Sequence, residues 1–230
     1  MLTLTGTTAW LRRWAAVIAE HELELTALDA AIGDADHGAN LRRGTTAVLA
    51  QLDADPPSSI AEALTNAGMT MVNTVGGASG PLVGTLLLRA GSACGDRVSL
   101  TGADLVAALR AGAEGVRARG HAELGDKTMV DVLVPAIDAL DSAIATGASL
   151  AAAASTAAIA ANAARDATAA LVARKGRASY LGERSVGTVD PGAASTALLL
   201  GALAAALAVA PIAQVDQPGR ATSLRMGEPA

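Results

Sequence analysis

Apolar residues recur three and four positions apart along most of the chain, the spacing of one face of an α-helix. Trp10, Trp14, Val17 and Ile18 set that rhythm for a first amphipathic helix over about residues 5–26, with Arg12, Arg13, Glu20 and Glu24 at the polar positions. Residues 1–5 read as a frayed end. The pattern resumes from about Gly38 to Asp53 and breaks at Asp55-Pro56-Pro57. It restarts behind Ser58 or Ser59, either of which can cap a helix reaching about Asn73. An apolar helix then runs to about Cys94 and ends at Gly95. Thr101 and Asp104 have the spacing of a capping box, which predicts a helix to about Arg119. Further helices are expected over about 125–145, 148–173 and 193–210, the last stopped by Pro211. Eight helices with no convincing strand define an all-α domain over residues 1–210, followed by a polar tail over 211–230.

Composition sharpens this picture. Phe is absent and aromatics make up 1% of the chain, so the core is built from Leu, Val, Ile and above all Ala. Alanine favours helix and lets neighbouring helices approach closely. The segment 148–173 therefore reads as a packed helix rather than a low-complexity linker, because it contains neither Pro nor Gly. Residues 193–213 carry no charge and are long enough to span a bilayer, but ten of the 21 are Ala and no basic cluster flanks them. A buried bundle helix fits better, and no membrane partner is expected. The net charge of −5 and the lack of a Lys/Arg run exclude a nucleic-acid surface. A single cysteine, Cys94, permits no intrachain disulfide and reads as a small core residue. Without a basic-then-apolar leader, the expected location is cytoplasmic.

The chemistry lies in the loops. Asp29, Asp34 and Asp36 fall within eight residues, interleaved with Gly33 and followed by Gly38, and no Lys or Arg stands beside them. Three unscreened carboxylates repel, and an all-oxygen set suits a hard cation such as Mg²⁺. The helix that starts near Gly38 offers backbone N–H groups to an anion. Metal, carboxylates and helix-start amides together suggest a polyphosphate site. Val75-Gly76-Gly77-Ala78-Ser79-Gly80, again just before a helix, is a second phosphate cradle by composition. Gly125-Asp126-Lys127-Thr128 carries only the tail of a Walker-like string, so a P-loop is rejected; Lys127 reads equally as a phosphate neighbour or a surface lysine. The polar stretch 175–192 is long enough for a functional loop.

Four ordered strings, IGDADHGAN, GGASGPLVGT, GDKTMVDVLVPA and GRASYLGERSVGTVDPGAAST, resemble the nucleotide-binding L subunits of dihydroxyacetone kinases over about residues 5–210. Ala35 stands where that family usually has Gly, Val83 where an aromatic is common, and Thr188 where His is frequent. The resemblance implies an eight-helix antiparallel barrel with an adenine nucleotide, ADP or ATP, at one end. It implies that Asp29, Asp34 and Asp36 hold two Mg²⁺ ions bridging the phosphates. His37, Gly38, Ala39, Asn40, Ala78, Ser79, Gly120, Met129, Arg177, Asp190, Pro191 and Gly192 match the family's nucleotide contacts. His37 reads as a hydrogen-bonding ligand rather than a phosphocarrier. The implied activity is phosphoryl relay through the bound nucleotide to dihydroxyacetone on a partner K subunit, fed by a phosphoryl donor protein of the phosphotransferase system. Homodimerisation stays open. Two other readings stand beside it: an ATP-dependent kinase subunit for a related small ketose, and a nucleotide-sensing module docked on a regulator.

Overall fold

A computed structural model describes residues 1–209. Nine α-helices are present among them: α1 (Leu4–Glu20), α2 (Glu22–Ile32), α3 (His37–Ala54), α4 (Ile60–Thr74), α5 (Ser79–Cys94), α6 (Gly102–Gly120), α7 (Val130–Ala145), α8 (Leu150–Ala167) and α9 (Pro191–Ala208). The all-α expectation holds, with one small exception. Leu2–Thr3 and Ser99–Leu100 form a two-residue antiparallel ladder. The tail expected over 211–230 lies outside the described residues.

Local chemistry places most helix ends. Ser59 accepts the Glu62 N–H as N-cap of α4. Thr101 and Asp104 close the capping box at α6. Asp190 accepts the Ala193 N–H at the start of α9, where Pro191 supplies the first helical position. The expected helix over 5–26 is instead two: α1 ends at Glu20, and α2 begins after His21 and continues to Ile32. Asp29 therefore sits on the last turn of a helix and not in a loop. The expected helix over 148–173 stops at Ala167, and a 3-10 turn over Thr168–Ala170 follows.

Packing closes a ring. Each of α1, α3, α4, α5, α6, α7, α8 and α9 lies against the next, and α9 returns to α1; α2 is an extra helix resting on α3 and α9. The eight-helix barrel is this ring. Small residues permit the close contacts. Gly68 on α4 and Gly84 on α5 face each other, and a Cβ on either would come within 2.8 Å of the other's carbonyl oxygen. The tryptophans anchor the larger core: Trp10 and Trp14 are buried, and Trp10 Nε1 donates to the Leu199 carbonyl of α9. Among the described residues α9 alone is long and apolar enough to cross a membrane, and most of it is buried inside the ring.

The connections alternate between the two ends of the ring. Residues 33–36, 75–78, 121–129 and 168–190 converge at one end, where they line shared clefts. Every second connection lies between them in sequence, so the sequence separates four site loops by whole helices and the ring reunites them.

Candidate functional site

Asp29, Asp34 and Asp36 form one cluster, in which one carboxylate oxygen of each lies within 4.8 Å of the others. Asp29 is its buried member. Its Oδ2 accepts the backbone N–H groups of Asp36 (2.8 Å) and His37 (3.1 Å), which folds the 33–36 turn back over the end of α2. Its Oδ1 lies against Gly33, where a Cβ would come within 2.0 Å of that oxygen. Only glycine leaves room for the carboxylate there. Asp34 and Asp36 are exposed. Ala35 between them takes φ 62°, the left-handed conformation that favours glycine. Arg177 reaches across from the long loop to pair with Asp34 at 2.9 Å, a partner invisible in the local sequence. One exposed guanidinium against three carboxylates leaves negative charge in excess, so the donor set fits a hard divalent cation.

The cluster opens into a narrow cleft of about 140 Å³, lined by Asp29, Asp34, Asp36 and His37 with Gly77, Ser79, Lys175 and Arg177 among others. A larger cleft of about 340 Å³ continues from it, and the two share His37, Ala78, Ser79, Lys175, Gly176 and Asp190. Its far side is apolar, formed by Leu82, Val83, Val116, Ala122, Met129 and Val130. The composite site therefore has an anionic, metal-suited end with two nearby cations, and an apolar slot at the other. A molecule with a polyphosphate at one end and a flat ring at the other matches that polarity.

The expected contacts divide. His37, Ala78, Ser79, Gly120, Met129, Arg177, Asp190, Pro191 and Gly192 line one cleft or the other. Gly38, Ala39 and Asn40 line neither. Gly38 is a packing glycine, since a Cβ would come within 2.1 Å of the Glu22 carbonyl oxygen of α2. Ala39 is exposed, and Asn40 is buried with its Oδ1 accepting from Arg43. The sequence reading omitted Lys175 and Ser195. Ser195 sits one turn inside α9, and its Oγ lies 3.0 Å from His37 Nε2 while also donating to the Gly192 carbonyl. The hydroxyl and the ring nitrogen share one hydrogen bond, with the donor set by the His37 tautomer. Burial lowers the pKa of this imidazole, against the opposing pull of Asp29 and Asp36. A neutral ring tied to Ser195 is a positioned hydrogen-bonding group.

Lys127 is neither a P-loop lysine nor a surface one. It is only 1% exposed, and its Nζ donates to the carbonyls of Leu171 (3.0 Å) and Ser185 (2.7 Å). Nearby, burial pushes the Asp190 carboxyl up to about 7, and Asp131 adds to that while the Ala193 N–H and Lys127 oppose it.

This helical ring, with a carboxylate-and-cation site at one end and an apolar slot beside it, is the fold of a chain that matches the DAK2 domain family. Residues 31–205 match that family, and the chain belongs to it. It is 45% identical over 205 residues to the ADP-binding subunit DhaL of the PEP-dependent dihydroxyacetone kinase of Escherichia coli, covering 89% of this chain and 98% of that one. It is 41% identical to the corresponding subunit of dihydroxyacetone kinase 1 of Listeria innocua, over 84% of this chain and 92% of that one. It is also 41% identical to the L-erythrulose 1-kinase of Mycolicibacterium smegmatis, where 85% of this chain covers 34% of the relative. Among solved structures, the dihydroxyacetone kinase of C. freundii in complex with AMP-PNP and Mg²⁺ superposes with a TM-score of 0.67 at 25% identity, covering 88% of this chain and 33% of that one.

Proposed function

We propose that this chain is the ADP- and Mg²⁺-binding subunit of a dihydroxyacetone kinase. In this reading it relays a phosphoryl group through its bound nucleotide to dihydroxyacetone held on a partner K subunit. The observation that carries the reading is the composite cleft: a three-aspartate cluster and two cations at one end, an apolar slot at the other. The near full-length match to ADP-binding subunits supports it, as does the AMP-PNP and Mg²⁺ complex of the C. freundii enzyme.

Asp29, Asp34 and Asp36 would hold the metal, as a pair of ions. Bound there, Mg²⁺ would neutralise phosphate oxygens and supply electrostatic stabilisation to phosphoryl transfer. The chain's own part is positioning. Asp29 fixes the turn through two backbone N–H groups. Lys175 and Arg177 bring positive charge to the polar end, and Ser79 stands at the start of α5 beside exposed Gly77 and Ala78, where backbone N–H groups can meet an anion. His37, held by Ser195, offers a neutral ring to the ligand. Leu82, Val116 and Met129 provide an apolar surface for the base and exclude water from it. The phosphoryl donor in this proposal is a phosphoprotein of the phosphotransferase system, and the location is cytoplasmic.

The test starts with denaturing the purified chain and identifying any released nucleotide by chromatography. The chain is then supplied with dihydroxyacetone alone, with a K subunit, and with K subunit plus phosphotransferase proteins. Bound ADP and triose phosphate only in the last mixture is the expected result. Rapid ATP-driven product formation by the isolated chain would refute the relay. A second reading, a kinase subunit for a four-carbon ketose, draws on the 41% identity to L-erythrulose 1-kinase and predicts product from erythrulose in the same assay.

A further inference from the structure

The segment between α8 and α9 carries Lys175 and Arg177 into the polar cleft, yet residues 174–184 contain no α-helix and few buried side chains. The middle of the segment winds through 3-10 turns over Arg177–Ser185, with Ala178 and Leu181 against Ile32 of α2 and Arg177 paired to Asp34. Its two stems are tied by hydrogen bonds that involve the backbone. On one side, the Arg174 N–H donates to the Asp126 carbonyl and the Ala173 N–H to Ser185 Oγ. On the other, Ser185 Oγ donates to the Gly182 carbonyl, the Gly187 N–H donates to the Ala169 carbonyl, and the Asp190 N–H to Thr168 Oγ1. Between the stems stands the ammonium of Lys127, donating to Leu171 on one and Ser185 on the other. This residue adopts φ 62°, a conformation that L side chains seldom take. A fully buried lysine with its charge spent on two carbonyl groups carries a desolvation cost that a leucine would avoid, and the left-handed backbone adds strain for either side chain.

We propose that Lys127 is a positioning residue that staples the two stems of the 171–190 segment together and so sets Lys175 and Arg177 over the aspartate cluster. The turn that carries it, 125–128, is itself fixed to the start of α7. Asp131 accepts the N–H groups of Gly125 and Thr128, and Asp126 accepts that of Glu123. The staple thus transmits the position of a helix end to a loop whose own apolar packing is confined to Ala178 and Leu181 against Ile32 and Ala173. Met129 and Thr128, adjacent to it, line the apolar slot, so one short turn registers both ends of the composite cleft. Lys127 itself also borders the larger cleft, but its ammonium is engaged by two backbone carbonyls, so in this proposal it acts on the ligand through the loop.

Two measurements test this, one of them independent of nucleotide. Limited trypsin digestion of the nucleotide-free chain reads the loop directly, because Arg174, Lys175, Arg177 and Arg184 all lie on it. Lys127→Met is expected to speed cleavage there at least tenfold while helical circular dichroism is retained, and Lys127→Arg, which keeps charge and donors, to restore most of the protection. The second measurement, ADP titration with Mg²⁺, rests on the function proposed above. Lys127→Met should weaken ADP roughly tenfold, chiefly through faster release, with rescue by arginine. Should Lys127→Met fail to fold, hydrogen exchange on the parent chain decides the matter. The Ala173 and Gly187 amides are then expected to be protected without nucleotide. Unchanged cleavage in Lys127→Met, or unprotected amides in the parent, would overturn the staple. Failure of the parent to bind ADP while the trypsin result holds would instead refute the proposed function and leave the staple standing.

Discussion

Asp29 has two separable jobs, and two substitutions can pull them apart. Its Oδ2 accepts two backbone N–H groups, and its charge stands within 4.8 Å of the carboxylate oxygens of Asp34 and Asp36. Hydrogen bonds to a charged acceptor contribute about 1.5–3 kcal/mol each, so losing two costs Asp29→Ala about 3–6 kcal/mol. The charge repulsion it also removes reduces this to a net loss of about 3 kcal/mol in the ligand-free chain. Two unit charges 4.8 Å apart repel by about 1 kcal/mol in water and about 3 kcal/mol at an effective dielectric of 20. Asp29→Asn keeps an amide oxygen for the two N–H groups and removes that repulsion. In EDTA it should therefore be as stable as the parent, or about 1 kcal/mol more so, in urea melts followed by circular dichroism. On addition of Mg²⁺ and ADP the order reverses: the parent gains stability and both variants gain little. An Asn variant as destabilised as the Ala variant in EDTA, or one that keeps the full gain with Mg²⁺ and ADP, would refute the assignment.

Three further outcomes are expected. Asp190 titrates at about 7 in the folded chain against 3.8 for an unperturbed group, so its carboxyl favours folding below about pH 4 and that contribution is lost as pH rises through about 7. The loss is on the order of 4 kcal/mol; Asp190→Asn, which still caps α9, should remove this part of the pH dependence, and identical slopes in parent and variant would contradict the burial argument. Saturating Mg²⁺ and ADP, at a thousandfold excess over Kd, should add about 4 kcal/mol and raise Tm by about 10 °C, with EDTA reversing the shift; an unmoved melting curve would count against the site. Ala35→Gly relieves a left-handed alanine but loosens the unfolded chain, a net gain of about 0.5 kcal/mol; a clear loss in urea melts would show that φ 62° at Ala35 carries no strain.

How much of this was legible depended on sequence distance. The capping signals at Ser59 and Thr101 and the stop at Gly95 are local, and the helices begin and end there. The Asp29, Asp34 and Asp36 cluster could be read because its members fall within eight residues. The break at His21 could not, since neither Pro nor Gly marks it and both flanking segments keep a helical pattern. Arg177 against Asp34, Ser195 against His37 and Lys127 between Leu171 and Ser185 join positions far apart in the chain. No periodicity carries that information; the closure of the helical ring supplies it. Lys127 shows the limit most plainly, because a lone lysine in a Gly-Asp-Lys-Thr string looks like either a phosphate ligand or a solvated side chain. It proves to be a buried bond donor to the backbone.

The proposed function requires the aspartate cluster to hold Mg²⁺ and, with it, the nucleotide. Calorimetric titration of ADP into the chain, stripped of any bound nucleotide, tests it most directly when run with Mg²⁺, with EDTA, and with Asp34→Asn and Asp36→Asn. Tight binding in Mg²⁺ should be lost in EDTA and in both variants, while circular dichroism shows the helices unchanged; removing one carboxylate from the metal cage is expected to weaken binding by several kcal/mol. ADP affinity that is the same in EDTA as in Mg²⁺, or normal in both variants, would contradict the account.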